Sequence, residues 1–301
     1  MSLLAVGSVA FDTITTPYGN VEEILGGSAT FFSVTASWFT SVSVVAVVGE
    51  DFGDEHLQVF RERNIDTRGI EKVPGRTFRW RGEYTGDMNS AKTLETQLNV
   101  FESFVPKIPE AYLDSKFLFL GNIVPVLQLN VRKAMHKLSA CGLDTMNFWI
   151  TGMPEELKNV LATVDILLIN EGEARLLSQE HHLKRAAAVI QKMGPRVVVI
   201  KRGEHGATLF AEHTVFTVPA FMLDEVFDPT GAGDTFAGGF MGHIARTGDL
   251  SDANLRRAAV YGSVMGSFAV EKFGVGRLLH LTPAEIESRY REIKTSTHFD
   301  A

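Results

Sequence analysis

The sequence predicts an α/β fold in which a mainly parallel sheet carries helices on both faces and a small β-sheet lid is attached to it. Short strands that are apolar throughout, such as 197–200, alternate regularly with amphipathic helices. Strands buried on both faces with helical crossovers are typical of parallel sheets. The lid is predicted from 76–84, where large and charged residues alternate as they do in a strand exposed on one face.

The strands and helices follow from the apolar periodicity and from the Gly and Pro residues that separate the elements. The predicted elements, in chain order, are a strand over 3–6, a helix over 26–38, a strand over 42–48, a helix ending at 63, a strand over 65–70, lid strands over 76–84 and 93–101, a strand over 117–120, a helix over 126–140, a strand over 144–149, a helix over 155–162, a strand over 165–169, helices over 171–177 and 183–193, a strand over 197–200, a hairpin over 208–218, and helices over 235–246, 252–272 and 283–294. Residues 1–12, 26–75 and 102–301 are assigned to the core, and residues 13–25 and 76–101 to the lid.

The composition indicates a soluble enzyme-sized chain of 301 residues, with 45% hydrophobic and 22% charged residues. The net charge of −7 argues against nucleic acid or an anionic membrane as the main partner. The single cysteine, Cys141, excludes an intrachain disulfide and suits a reducing compartment. The first residues lack a basic signal-peptide region, and no apolar run is long enough to span a bilayer, so we expect a cytoplasmic location.

The stretch Asp228-Pro229-Thr230-Gly231-Ala232-Gly233-Asp234-Thr235-Phe236 is the strongest candidate site. A small-residue loop that opens a helix leaves backbone N–H groups free for an anion, and glycine lets a phosphate approach closely. An acid beside such an anion needs a separate task, and accepting a proton from an attacking hydroxyl is the natural one for Asp234. The alternative is a surface acid that complements the helix dipole.

Four signals converge at one edge of the predicted sheet: Asp12, Asn170, Lys201 and the loop before Asp234. In open α/β sheets, ligands bind at the carboxyl ends of the strands. The convergence therefore favours a ligand site at this edge over four unrelated polar residues. The chain has no Gly-x-x-x-x-Gly-Lys-Ser/Thr sequence, so a P-loop enzyme is excluded.

The loop around Asp234 resembles the signature of the ribokinase (PfkB) family of small-molecule kinases, and the resemblance extends over nearly the whole chain. It implies a ribokinase-like fold and ATP-dependent phosphorylation of a hydroxymethyl group with Mg²⁺. This resemblance implies that Asp234 is the general base. It also implies that the backbone from Gly231 to Asp234, with the N–H groups of Ala232, Gly233 and Asp234, stabilises the transferring phosphoryl group. Asp12, in Gly7-Ser8-Val9-Ala10-Phe11-Asp12, would bind two hydroxyls of the acceptor. The glycine pair Gly26-Gly27, with Ser28, would pack against the acceptor.

The same resemblance implies a nucleotide site that includes two segments: Asn170-Glu171-Gly172-Glu173, which resembles the family's Asn-x-x-Glu element, and Lys201-Arg202-Gly203-Glu204-His205-Gly206. Glu173 would bind magnesium, usually through water molecules of the ion. The alternatives are a helix N-terminus with acids near the dipole at 170–173 and an ordinary turn between strands at 201–206. The nucleotide-binding candidates are Asn170, Lys201, Gly203, Gly206, Thr230 and Gly233.

The acceptor is the least determined part. Many family members place an asparagine four residues beyond the second glycine, whereas Phe31 stands here. Together with Phe78, Trp80 and Tyr84 on the lid, Phe31 favours a nucleoside such as adenosine, because aromatic faces stack on bases. The alternatives are a free sugar such as ribose or fructose, and a catalytically silent nucleotide-binding regulator. The rings are also consistent with a lid core or a dimer face, so a monomer and a lid-mediated homodimer both stay open.

Overall fold

A computed structural model describes residues 2–86 and 88–298. The strands are β1 (Ser2–Val6), β2 (Ala10–Thr16), β3 (Gly19–Gly26), β4 (Ser41–Val48), β5 (Asp66–Lys72), β6 (Phe78–Tyr84), β7 (Ala91–Gln97), β8 (Phe117–Leu120), β9 (Ala140–Leu143), β10 (Ile166–Asn170), β11 (Val197–Lys201), β12 (Ala207–Phe210) and β13 (Val215–Val218). The α-helices are α1 (Ser28–Ala36), α2 (Asp54–Glu62), α3 (Pro125–Ala134), α4 (Asn147–Gly152), α5 (Pro154–Leu161), α6 (Glu171–Ser178), α7 (Leu183–Gln191), α8 (Ala232–Thr247), α9 (Asp252–Ala269), α10 (Gly276–Leu279) and α11 (Pro283–Ser296).

The main sheet has nine strands in the order β13-β12-β11-β10-β9-β8-β1-β4-β5. Pairing is parallel from β11 to β5 and antiparallel for β12 and β13. Successive residues of a strand enter opposite cores: Leu3 packs in the core that contains α1, α8 and α9, and Leu4 in the core that contains α3, α5 and α7. The predicted α/β architecture, with its parallel sheet covered on both faces and its antiparallel edge hairpin, is therefore confirmed.

One strand lies earlier in the chain than the sequence predicts. We expected a helix to residue 140 and a strand over 144–149, but α3 ends at Ala134, β9 covers Ala140–Leu143, and Asn147–Gly152 is helical. The small residues of β9 carry little strand propensity of their own, yet burial between β8 and β10 places them in the sheet. The apolar residues that suggested a later strand include Phe148, which is 63% exposed.

A separate sheet of four strands, in the order β3-β2-β6-β7, forms the lid. The β2–β6 pair is parallel and the two outer pairs are antiparallel. Asp12 was expected just beyond the first core strand, but it lies inside β2, because the chain leaves the core after Val6 and enters the lid sheet at Ala10. Within the described ranges, no helix combines the length and apolarity that crossing a membrane requires.

Candidate active site

The loop before α8 packs against buried residues of the core. Gly231 caps the helix with φ of +73°, and a Cβ atom built there would lie 2.3 Å from the ring of Phe31, which is itself 1% exposed. A residue with a side chain is therefore excluded from this position by the backbone conformation and by the ring together. The structure places Phe31 beneath the loop as a support, and a ring this buried presents no open face for stacking on a base.

Asp228 fixes the other side of the loop. Its side chain is fully buried, and its two oxygens accept hydrogen bonds from the amide of Thr230 (2.9 Å) and the amide of Gly274 (3.1 Å). An Asx-type bond to the residue two positions on is a usual way to fix a turn. Asp228 is thus a structural residue of the loop that the sequence reading did not assign.

The amides of the loop are not equivalent. Ala232 donates its N–H to the carbonyl of Pro229 (3.1 Å), so this predicted member of the anion site is already engaged. The amide of Gly233 donates to no backbone acceptor among the described residues. Since it lies at the N-terminus of a 16-residue helix, this N–H group carries part of the positive end of the helix dipole.

Asp234 lies in the first turn of α8 and is partly buried. Burial raises the pKa of its carboxyl to about 7; repulsion from Asp144 adds to the rise, while attraction by Lys201 opposes it. A carboxylate with a pKa near neutral pH is poised to accept a proton from a hydroxyl and to release it again.

Asp144 is a residue of the site that the sequence reading missed. It follows β9 directly, is 8% exposed, and its Oδ2 atom lies 3.2 Å from the ammonium nitrogen of Lys201, the last residue of β11. The signal was available, because Asp144 is a polar residue at the carboxyl end of a buried strand, like Asn170 and Lys201. Because the predicted strand covered 144–149, Asp144 was expected at the beginning of a strand, away from the ligand site.

Asn170 and Glu173 form a reciprocal capping box at the start of α6. The Oδ1 atom of Asn170 accepts from the amide of Glu173, and Oε2 of Glu173 accepts from the amide of Asn170, both at 2.8 Å. The structural alternative considered for this segment, a capped helix N-terminus, is therefore present. The box uses the Oε2 atom of Glu173, and the Oε1 atom takes no part in it.

The charges around Glu173 fit a bound cation. Burial, and then repulsion from Asp144, raises the pKa of Glu173 to about 7, whereas Lys201 opposes the rise. Asp144, Glu173 and Asp234 thus share one ammonium group, and positive charge is in deficit. Among the described residues no group of three or more acids, histidines or cysteines forms a ready-made metal site. A magnesium ion held through waters and phosphate oxygens, with Glu173 nearby, fits this arrangement.

Asp12 lies on the lid side of the site and is 5% exposed. Burial raises the pKa of Asp12 to about 7, with repulsion from Asp228 and Asp234 adding and a hydrogen bond from the Gly27 amide opposing. A Cβ atom at Gly26 would lie 1.8 Å from an oxygen of Asp12. The first glycine of the pair is therefore required by the acid, and the second binds it through its amide.

Ser28 is engaged with Ser8 rather than open to a ligand. The side-chain oxygens of the two serines lie 3.2 Å apart, and each accepts a hydrogen bond from the other's amide, at 3.1 Å and 3.0 Å. Both serines are buried. Ser28 therefore joins the start of α1 to the end of the first core strand.

Two aromatic residues of β6 lie on the same face of the lid as Asp12. Trp80 pairs with Asp12 across β2 and β6, its ring lies over Gly82, and its indole N–H donates to the hydroxyl of Thr93 (3.3 Å). Tyr84 accepts a hydrogen bond from the Thr230 hydroxyl (3.2 Å). Burial raises the pKa of Tyr84 to about 12, and Asp228, Asp12 and Asp234 add to the rise. The phenol group thus lies where the lid meets the anion loop.

The two glycines of the turn after β11 have different surroundings. Gly206 has φ of +79° and packs on the carbonyl of Val218, where a Cβ atom would lie 2.1 Å away, so its conformation is explained by the hairpin. Gly203 has φ of +54° and faces the side chain of Asn89 from the lid, at 2.5 Å from a Cβ atom built there. The turn therefore brings a lid residue close to the segment predicted to bind the nucleotide.

Residues 2–280 match the protein family described as pfkB family carbohydrate kinase. The chain belongs to the pfkB family. A cytidine kinase of Thermococcus kodakarensis is 30% identical over 84% of this chain and 91% of its own length. An inositol 3-kinase of Arabidopsis thaliana is 25% identical over 98% of this chain and 82% of its own. The crystal structure of a putative ribokinase II from E. coli with ATP and Mg²⁺ shares the fold, with a TM-score of 0.78, 22% identity and coverage of 97% and 99%.

This pfkB protein is an enzyme that transfers a phosphoryl group to an alcohol group. Its relatives are kinases of sugars, nucleosides and inositol. The ribokinase-like fold with its separate lid sheet, which the resemblance implied, is confirmed by the structural neighbours.

Proposed function

We propose that this pfkB kinase transfers the γ-phosphoryl group of ATP to the hydroxymethyl group of a nucleoside. The observation that carries the acceptor class is the position of Trp80 directly opposite Asp12 on the neighbouring lid strand. A ribose whose hydroxyls are held by Asp12 places its base beside this indole. Base–aromatic stacking is worth about 1–3 kcal/mol per base, and a free sugar would gain none of it.

The proposed acceptor site consists of Asp12 and the Gly26-Gly27 backbone. An ionised carboxylate accepts two hydrogen bonds, which suits a pair of neighbouring ribose hydroxyls. The Gly27 amide already donates to Asp12 and favours its ionised form. The similarity to a cytidine kinase supports a nucleoside acceptor for this chain.

In the proposed reaction Asp234 accepts the proton of the attacking hydroxyl. The Gly231 to Gly233 backbone, with the Gly233 amide at the helix N-terminus, stabilises charge on the transferring group. Thr230, Asn170, Lys201, Gly203 and Gly206 line the nucleotide side. Magnesium, when bound near Glu173, would neutralise phosphate charge.

Substituting the base tests the reaction. Asp234→Asn should lower kcat by about 10²–10⁴-fold, the range for general-base catalysis, while ATP affinity is retained. Asp54→Asn is the matched control, because Asp54 is also a first-turn helix acid but its side chain is 86% exposed. Near-normal turnover in Asp234→Asn would exclude it as the base.

A panel of acceptors tests the substrate class. Purified enzyme is assayed for ADP release with cytidine, adenosine, other nucleosides, ribose, fructose and myo-inositol. Trp80→Ala should raise KM for the nucleoside by about tenfold or more and leave KM for ribose unchanged, because only the base loses its partner. Equal effects on both acceptors would exclude base stacking on Trp80.

A polyhydroxylated ring without a base is the second candidate, favoured by the similarity to a plant inositol 3-kinase over 98% of the chain. Turnover of ribose, fructose or inositol without any nucleoside would support it. Tight ATP binding without transfer to any acceptor would indicate a nucleotide-binding regulator.

A further inference from the structure

The ammonium group of Lys201 lies beside the anion loop. Lys201 ends β11, and a Cβ atom built at Gly233 would lie 3.0 Å from its Nζ atom. The space that a side chain at position 233 would need is therefore occupied by this ammonium group. A cation placed beside the Gly233 amide adds a full charge to the partial charge of the helix N-terminus.

The Lys201 side chain is largely buried but remains charged. Its side chain is 14% exposed. Burial opposes the charged form, yet Asp144, Glu173 and Asp234 together raise the pKa of Lys201 above its ordinary value. Lys201 is thus a desolvated cation, which acts on a nearby phosphate more strongly than a solvated one.

Asp144 is rigidly held opposite this cation. Its Oδ2 atom lies 3.2 Å from Lys201 Nζ, and its Oδ1 atom accepts from the amide of Thr145 (2.8 Å). The Gln128 side chain donates to the carbonyls of Asp144 (3.1 Å) and Gly121 (2.8 Å), so the backbone at the end of β9 is fixed as well. A carboxylate with both oxygens engaged has a single orientation.

Stability alone does not explain the pair. A buried ion pair commonly contributes no more than an apolar pair of similar volume, because both charges are desolvated. Here the cost is raised by two further acids at the same ends of the strands, the buried Glu173 and the partly buried Asp234. Four charged side chains with little solvent exposure lie together beside the anion loop. Binding of a charged ligand explains this arrangement better than stability does.

We propose that Lys201 binds the oxygens of the transferring phosphoryl group and that Asp144 is the positioning residue that keeps its ammonium beside Gly233. Without Asp144, the remaining partners of the lysine are Glu173 and Asp234, and an ion pair with Asp234 would obstruct the base. The proposal rests on the kinase reaction above but not on the identity of the acceptor.

Nucleotide binding tests the role of Lys201 without an acceptor. In Lys201→Met, ATP affinity measured by calorimetry should fall about tenfold or more, as expected for the loss of one charge-assisted contact. ADP affinity should change less than about twofold, because ADP lacks the group that the lysine holds. Equal losses for ATP and ADP, or no loss for either, would overturn the assignment of Lys201. This measurement stays informative even if the nucleoside proposal is wrong.

Steady-state kinetics test Asp144. Asp144→Asn should lower kcat about tenfold or more and raise KM for ATP, with KM for the acceptor nearly unchanged, because the displaced ammonium group no longer contacts the transferring phosphoryl group. Asp165→Asn is the matched control. Asp165 accepts a hydrogen bond from the amide of Cys141 (2.9 Å), so it also contacts β9, but at the amino ends of the strands. Its kcat should stay at the wild-type value. Wild-type kcat in Asp144→Asn would overturn the positioning role.

A double variant separates function from folding. Asp144→Leu combined with Lys201→Met removes both charges and leaves an apolar pair, which buried ion pairs often tolerate without loss of stability. Both this variant and Lys201→Met leave Glu173 and Asp234 without their cation, but only Lys201→Met also leaves Asp144 unpaired. The double variant should therefore melt at a higher temperature than Lys201→Met alone. We expect loss of ATP-over-ADP discrimination and of turnover. Retention of both by a folded double variant would show that the pair only joins β9 to β11.

Discussion

The hydroxyl group of Thr230 donates a hydrogen bond to the phenol oxygen of Tyr84 across 3.2 Å. Thr230 belongs to the anion loop and Tyr84 ends the lid strand β6, so this bond joins the two parts of the site. Around it, Met88 and Ile14 form a small apolar cluster with partly buried Phe273 from the core. The lid therefore meets the anion loop through this hydrogen bond, with apolar packing beside it.

Tyr84→Phe removes this contact and keeps the ring. A neutral hydrogen bond contributes about 1 kcal/mol, so acceptor KM should rise roughly fivefold while KM for ATP stays constant. Steady-state kinetics with each substrate varied in turn measure the two values. Tyr18→Phe is the control, because Tyr18 also lies in the lid, at a turn where it is 45% exposed. An unchanged acceptor KM in Tyr84→Phe would show that the bond has no part in acceptor binding.

The pH dependence of the reaction should show an acid limb near neutrality. The pKa of Asp234 and that of Asp12 are both raised to about 7, chiefly by burial. Each group must be ionised to act, as proton acceptor or as hydroxyl ligand, so activity is present above this pKa and lost as pH falls through it. Because Asp12 and Glu173 titrate in the same range as Asp234, the limb should be steeper than a single ionisation. A kcat/KM profile that stays flat to about pH 5 would contradict this prediction.

Ionisation of Asp234 should also destabilise the fold. Its pKa in the folded state lies above the ordinary value of 3.8, so the folded state binds the proton more tightly and is progressively destabilised as pH rises towards 7. Asp234→Asn should raise the free energy of unfolding by on the order of 2–4 kcal/mol at about pH 8 and change it little at about pH 4. Urea unfolding at both pH values measures the difference, and Asp54→Asn should show no such dependence. A pH-independent effect of Asp234→Asn would contradict the burial of an ionised carboxylate.

Local patterns predicted most of the fold, and failures occurred where the structure depends on distant contacts. The apolar strand Val197–Lys201 and the loop before Asp234 could be identified from their own residues. The strand Ala140–Leu143 could not, because its small residues become a strand only between two neighbours. The position of Asp12 likewise depends on where the chain changes sheets.

The candidate site was predictable where a motif has a fixed local geometry. The glycine pair and Asp234 are of this kind. Asp144 depends on the correct end of β9, and the support of Gly231 by Phe31 depends on packing between α1 and the loop before α8, which no local pattern reveals. Phe31, one of the aromatic residues that suggested a stacking surface, instead packs against Gly231 in the core.

Gly231 offers the sharpest test of the anion loop. In Gly231→Ala the new Cβ atom would meet the Phe31 ring at 2.3 Å, so the loop must move and kcat should fall about tenfold or more. Gly248→Ala is the matched control, since Gly248 ends the same helix with φ of +68° and lies about 24 Å away by helix length. Gly248→Ala should lose about 1–2 kcal/mol of stability through the left-handed backbone, and Gly231→Ala should lose more because of the contact with the Phe31 ring. Only Gly231→Ala should lose turnover. If kcat fell equally in both, or in neither, the close packing of this loop on Phe31 would not be what positions it for phosphoryl transfer.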